Sequence, residues 1–218
     1  DRAVYRCGKI VRITNPTAIS CKINEESFDR SILLVGNSHA DSIKQAFVEV
    51  ASTHKMNTYF MVSNTPLMDN SVTVKALINE AVKLNIKNIV LHYSPKSLKV
   101  ETLEEVLKLA DQKDIKVDLI LPVPVYEDSI PKLLYLDQLK GMNEQKYLAK
   151  NAEYFAQINV LKNQYQIFKA YDVHTVLCQP DCAIKSTDNK PYYFDSNHLT
   201  LTGAQQLKPV FERIFLIR

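Results

Sequence analysis

Glycine is scarce in this chain: four residues in 218. With so few, no Gly-x-Gly-x-x-Gly exists, which excludes a nucleotide-binding Rossmann fingerprint. No apolar run is long enough to span a bilayer. No run of Lys or Arg exceeds two residues. The net charge of +3, from 27 basic and 24 acidic residues, is small and evenly spread. Neither a nucleic-acid-binding surface nor a polybasic membrane patch is expected. No signal-peptide pattern opens the chain at Asp1, so it reads as a mature protein or an excised domain. Internal repeats, low-complexity tracts and Gly/Ser linkers are also missing. What remains is ordinary globular material, 46% hydrophobic and 23% charged, of a length that suits one large domain.

The four cysteines fall into two local pairs, Cys7 with Cys21 and Cys178 with Cys182. Such pairing suggests two disulfides and an oxidising compartment. Four reduced, buried thiols are the plain alternative. A metal reading also exists, because His174, Cys178 and Cys182 recur every four residues. Pro180 interrupts any helix that would align them, and no fourth ligand follows at a usual spacing, so no metal is expected.

Apolar runs alternate with helical patterns. Strands are expected over 31–35, 57–62, 87–93, 116–122 and 166–170. Helices are expected over 39–53, 71–84, 99–112, 143–163 and 200–216, with Pro209 kinking the last or sitting in its first turns. This alternation predicts an α/β fold: a three-layer α/β/α sandwich around a mostly parallel sheet of about five strands. Function in such folds collects at the carboxyl ends of the strands. Residues 1–30 read as an N-terminal extension packed on the domain and pinned by Cys7 and Cys21; residues 31–218 form the domain itself.

Two segments carry chemistry. Gly36-Asn37-Ser38-His39 ends the first clear strand. Gly36 permits a sharp turn, and a serine there sits at a helix N-terminus whose free N–H groups can stabilise an oxyanion. The plain alternative is that Ser38 merely caps the helix. Asp195-Ser196-Asn197-His198 precedes the last helix. Its carboxylate can reach the imidazole Nδ1 and leave Nε2 free to take a proton from a serine; an Asx turn is the plain alternative. His39 and His92 read as hydrogen-bonded, partly buried histidines. Tyr192, Tyr193 and Phe194 read as packing, with a sugar-stacking platform as the second option.

The segment Leu33-Leu34-Val35-Gly36-Asn37-Ser38-His39-Ala40 resembles the first block of the SGNH hydrolases, usually written Gly-Asp-Ser. Asp195-Ser196-Asn197-His198-Leu199-Thr200 resembles their last, Asp-x-x-His-Leu-Ser. The chain order and spacing fit over about residues 31–217. The Cys178–Cys182 pair and the His after the nucleophile narrow the resemblance to SGNH domains fused to membrane acyltransferase-3 proteins. Two departures stand out. Asn37 replaces the usual Asp, a change expected to leave the triad intact. The Gly-x-Asn-Asp block is missing, since the matching strand runs into Leu91-His92-Tyr93-Ser94-Pro95. Its second-block Gly is also not evident in Ser63-Asn64-Thr65-Pro66.

The resemblance implies Ser38 as nucleophile, His198 as base and Asp195 as its orienter. The oxyanion donors would be the Ser38 amide with Asn64 or Ser94 standing in for the missing Asn. It implies acetyl transfer to a hydroxyl of a bacterial surface glycan, O-antigen or similar, at the periplasmic or extracellular face of the inner membrane. No cofactor would be bound; the acetyl donor would arrive through a fused or associated membrane acyltransferase-3 partner. A carbohydrate acetylesterase with the same triad and a non-catalytic glycan-binding module are the alternatives. An α/β-hydrolase is disfavoured, because its nucleophile elbow follows several strands.

Overall fold

The structure is a computed structural model, which describes residues 7, 13, 14, 17–136 and 142–216. The expected extension therefore lies partly outside the described residues, at 1–6, 8–12 and 15–16.

Six strands form one sheet: β1 (Ser20–Lys22), β2 (Arg30–Gly36), β3 (Met56–Met61), β4 (Asn88–His92), β5 (Lys116–Ile120) and β6 (Phe168–Tyr171), in the spatial order β1-β3-β2-β4-β5-β6. Five run parallel and β1 pairs antiparallel with β3. The expected five strands thus gain a short edge strand, tethered by the Cys7–Cys21 disulfide. Its three residues have no periodicity to read, and pairing with β3 rather than propensity makes it a strand.

Helices cover both faces. They are α1 (Ser38–Thr53), α2 (Val74–Lys83), α3 (Val100–Asp111), α4 (Ile130–Tyr135), α5 (Glu144–Gln164), α6 (His174–Leu177), α7 (Leu201–Gln205) and α8 (Lys208–Leu216). Strand β2 shows how the two cores divide. Ile32 and Leu34 pack with Phe47 of α1 and Phe211 of α8, whereas Leu33 and Val35 pack with Leu77 of α2 and Leu107 of α3. All four strand residues are fully buried, which is why the run is continuously apolar rather than alternating. The expected three-layer α/β/α sandwich is the observed one.

The single last helix expected over 200–216 is two. α7 ends at Gln205 and α8 starts at Lys208, with Pro209 in its first turn, where a missing N–H costs nothing. Helices α4 and α6 were not anticipated; at six and four residues they are too short for a helical period to register.

The chain moves outward from β2 to β3 on one side, then crosses to β4 on the other. Ligands gather at such a switch point, beyond the carboxyl ends of the strands. Ser38 follows β2 there, beside the loop that leaves β4.

Candidate active site

Gly36 pairs with His92 across β2 and β4. A Cβ on Gly36 would lie 1.8 Å from the His92 carbonyl oxygen. The glycine is therefore required by close backbone approach, not by the turn freedom expected from sequence. Asn37, not Ser38, caps α1: its side chain accepts the His39 N–H at 3.1 Å. Asn37 also reaches the loop after β4. Its Oδ1 accepts the Ser94 N–H at 3.3 Å and its Nδ2 donates to Ser94 Oγ at 2.8 Å. With capping assigned to its neighbour, the Ser38 hydroxyl stands exposed in the first turn of α1.

The second segment folds back as a narrow loop. Phe194 N–H donates to the His198 carbonyl at 3.0 Å and Thr200 N–H to that of Tyr192 at 2.9 Å. Its tip is tied to the loop after β5, where Tyr126 N–H donates to the Ser196 carbonyl and Ile130 N–H to that of Asp195. Within the tip, Asp195 Oδ1 accepts the N–H groups of Asn197 and His198, both at 2.8 Å. Asp195 Oδ2 faces His198 Nδ1 at 2.6 Å. The Asx turn and the contact with imidazole coexist, one on each carboxylate oxygen. Partial burial alone would raise the Asp195 pKa, but the two backbone donors and the His198 ring outweigh it and hold the carboxyl below its ordinary value.

Across 160 residues of sequence, His198 Nε2 lies 2.7 Å from Ser38 Oγ. An ionised carboxylate at Nδ1 selects the tautomer protonated there, leaving Nε2 to accept the serine proton. The His198 ring lies between Phe194, stacked at 5.2 Å and 12°, and His39, tilted at 4.8 Å. Phe194 thus packs on the imidazole, while Tyr192 and Tyr193 are buried and present no sugar platform. His39 and His92 are buried too. Burial, reinforced at His39 by the neighbouring His92 and His198, lowers their pKa values to about 3 and about 4. Both are neutral near pH 7, so neither adds a cation beside His198.

Of the expected oxyanion donors, the Ser38 amide belongs to the first turn of α1, where N–H groups have no intrahelical acceptor. Ser94 is held by Asn37 through both its amide and its hydroxyl, and the hydroxyl also meets Ser97 Oγ. Asn64 is exposed in the loop after β3, at the same edge of the sheet. Cys178 and Cys182 are joined in a disulfide beside α6, so the thiolates of the metal reading are consumed. No group of three or more metal-ligating side chains occurs among the described residues. A cleft of about 470 Å³ lies at the opposite edge of the sheet, lined by Arg30, Asn88 and Asp118 among others. It contains none of these groups, so size alone does not mark the site.

The family model described as the SGNH domain (fused to AT3 domains) matches residues 10–213. The chain belongs to this SGNH family. No curated protein matches it. Among solved structures, this SGNH domain is similar at 12% identity and a TM-score of 0.37 to a GDP-L-fucose synthetase from Naegleria fowleri, over 72% of this chain and 53% of that one. It is similar at 13% and 0.26 to a putative hydrolase from Rickettsia typhi, over 86% and 65%. The chain spans about half the length of the first and under two thirds of the second, and likeness at this level bears on nothing further. No helix among the described residues is long and apolar enough to cross a membrane.

Proposed function

We propose that the SGNH domain transfers an acetyl group through Ser38 to a hydroxyl of a bacterial surface glycan. The observation that carries this reading is the continuous contact from Asp195 Oδ2 through His198 to the exposed Ser38 hydroxyl, at 2.6 and 2.7 Å. In the first half-reaction Ser38 Oγ attacks the acetyl carbonyl while His198 Nε2 takes its proton. The proton passes to the departing group, leaving acetyl-Ser38. In the second, His198 removes a proton from a glycan hydroxyl, whose oxygen attacks the acetyl carbonyl. Ser38 leaves and recovers the proton. Asp195 keeps the imidazole oriented and stabilises its cationic form.

Residues 31–218 carry this chemistry in our reading. The domain needs no cofactor of its own. A membrane acyltransferase-3 partner, fused or associated, presents the acetyl group at the extracytoplasmic face of the membrane. Family membership supports that linkage, because the family is described by its fusion to AT3 domains.

The test is partition of the acyl group. The domain is incubated with p-nitrophenyl acetate and an O-deacetylated bacterial surface polysaccharide, and acetate ester on the glycan is quantified against free acetate. Glycan ester that vanishes in Ser38→Ala supports transfer. Free acetate alone, also dependent on Ser38, would replace the reading by a carbohydrate acetylesterase.

A further inference from the structure

A cleft of about 360 Å³ opens directly beside these residues, a volume at the small end of the range for ligand sites, about 300–1,000 Å³. Its inner wall holds His39 and Asn197, the immediate chain neighbours of Ser38 and His198. Val123 and Val125 give it apolar surface, and Lys96 and Lys150 line it as well. No Asp or Glu lines it.

The two lysines set this cleft apart. Both are exposed, and neither has an ion pair among the described residues. They approach from different elements, Lys96 from the loop after β4 and Lys150 from α5. Lys96 sits at φ 63° in the tight turn where Ser97 N–H bonds the Ser94 carbonyl. That left-handed conformation disfavours a side chain by ~1–2 kcal/mol, and such strain concentrates at ligand-binding positions. Two neighbouring clefts share these lysines and contain carboxylates: Lys96 and Lys150 both border one that holds Glu101 and Glu153, and Lys150 borders another that holds Glu127 and Asp128. Of these three clefts, the one beside Ser38 combines lysines with no lining carboxylate.

The geometry points to a subsite for an anionic saccharide, one whose carboxylate or phosphate group meets Lys96 and Lys150 while its ring lies in the cleft and a hydroxyl faces Ser38. This rests on the acyl-transfer reading and adds to it the chemical class of the acceptor. A neutral ring alone would give neither ammonium group an ionic partner within this cleft. Asn197 offers an amide at the end of the cleft nearest His198.

The experiment is a titration of the domain, followed by amide NMR shifts, with three probes. These are methyl glucuronoside, glucose 6-phosphate and methyl glucoside. The first two separate a carboxylate from a phosphate requirement, and the third is the neutral control. At least one acidic probe should bind at least about tenfold more tightly than the neutral one, with shifts at Lys96, Lys150 and Asn197. Lys96→Gln and Lys150→Gln should each weaken it about tenfold, the scale of one charge-assisted hydrogen bond, and added salt should weaken it further. The variants' amide spectra away from the cleft report that they are folded. Equal affinity for acidic and neutral probes, no binding of either acidic probe, or unchanged affinity in the Lys96→Gln/Lys150→Gln double variant would overturn the subsite. Turnover of p-nitrophenyl acetate by the unaltered domain is recorded alongside. Persisting turnover with no acidic binding refutes the subsite alone. Acidic binding without any Ser38-dependent turnover refutes its role as an acceptor site.

Discussion

Asn37 is the residue whose removal should disturb the site most without touching the reacting groups. Its side chain is nearly buried, at 7% exposure, and makes three contacts: the cap on the His39 amide and two bonds to Ser94. Loss of an N-cap side chain costs about 1 kcal/mol. Each of the two further hydrogen bonds contributes about 1 kcal/mol net, with Ser94 Oγ still able to turn to Ser97. Asn37→Ala should therefore destabilise the domain by about 2–3 kcal/mol, which for a chain of this size lowers Tm by about 4–12 °C. Ser38-dependent hydrolysis of p-nitrophenyl acetate should fall as well, because the turn carrying Ser38 loses its anchor to β4. Asn37→Asp restores the residue usual in the family. It keeps the cap and places an anion at a helix N-terminus, which is favourable, while the Ser94 hydroxyl can reverse and donate. It should lose less than about 1 kcal/mol by the same reckoning. Melting curves and initial rates decide the matter. An Asn37→Ala variant with the melting temperature and rate of the parent would refute the claim that this side chain organises the nucleophile turn.

Two further predictions concern the frame around the site. His39 and His92 are neutral when folded but take up protons below their ordinary value of 6.5 when unfolded. The unfolded chain then binds more protons, so stability falls as pH drops below 6.5, by up to ~1.4 kcal/mol per pH unit for each histidine. That loss continues until the folded groups protonate, near 4 for His92 and near 3 for His39. Urea midpoints between pH 7 and 4.5 should show this slope, and His39→Gln should flatten it by an amount corresponding to one proton; identical slopes would mean His39 titrates normally. Gly203 faces the Tyr192 carbonyl, where a Cβ would lie 2.1 Å away. Gly203→Ala should destabilise by at least ~2 kcal/mol, since backbone rather than a flexible side chain must move, and a parent-like denaturation midpoint would contradict that.

The sequence carried the sheet where strands are buried on both faces. Ile32 to Val35 is continuously apolar because helices cover both sides, so run length and the closing glycine sufficed. β1 was invisible because Ser20–Lys22 becomes a strand only by pairing with β3. At the site, Asp195 and His198 were legible because their contact is local, three residues apart. The contact with Ser38 spans 160 residues, and only the resemblance and the topology argument joined them. The Asn37–Ser94 clamp had no signal of its own, since it depends on β2 lying beside β4. Nor does anything in Pro95-Lys96-Ser97 announce the positive φ of Lys96. The reason for Gly36 was misread for a similar cause: the His92 carbonyl that crowds it is 56 residues away in the chain and adjacent only across the sheet.

The most direct test of the central claim is intact-protein and peptide mass spectrometry after brief incubation with p-nitrophenyl acetate. The domain and its Ser38→Ala variant are compared at matched protein concentration and incubation time. A proton acceptor 2.7 Å from an exposed serine hydroxyl predicts a single acetyl adduct that maps to Ser38 and is absent from Ser38→Ala. An adduct that survives in Ser38→Ala, or a folded parent that forms none and releases no nitrophenol, would contradict it.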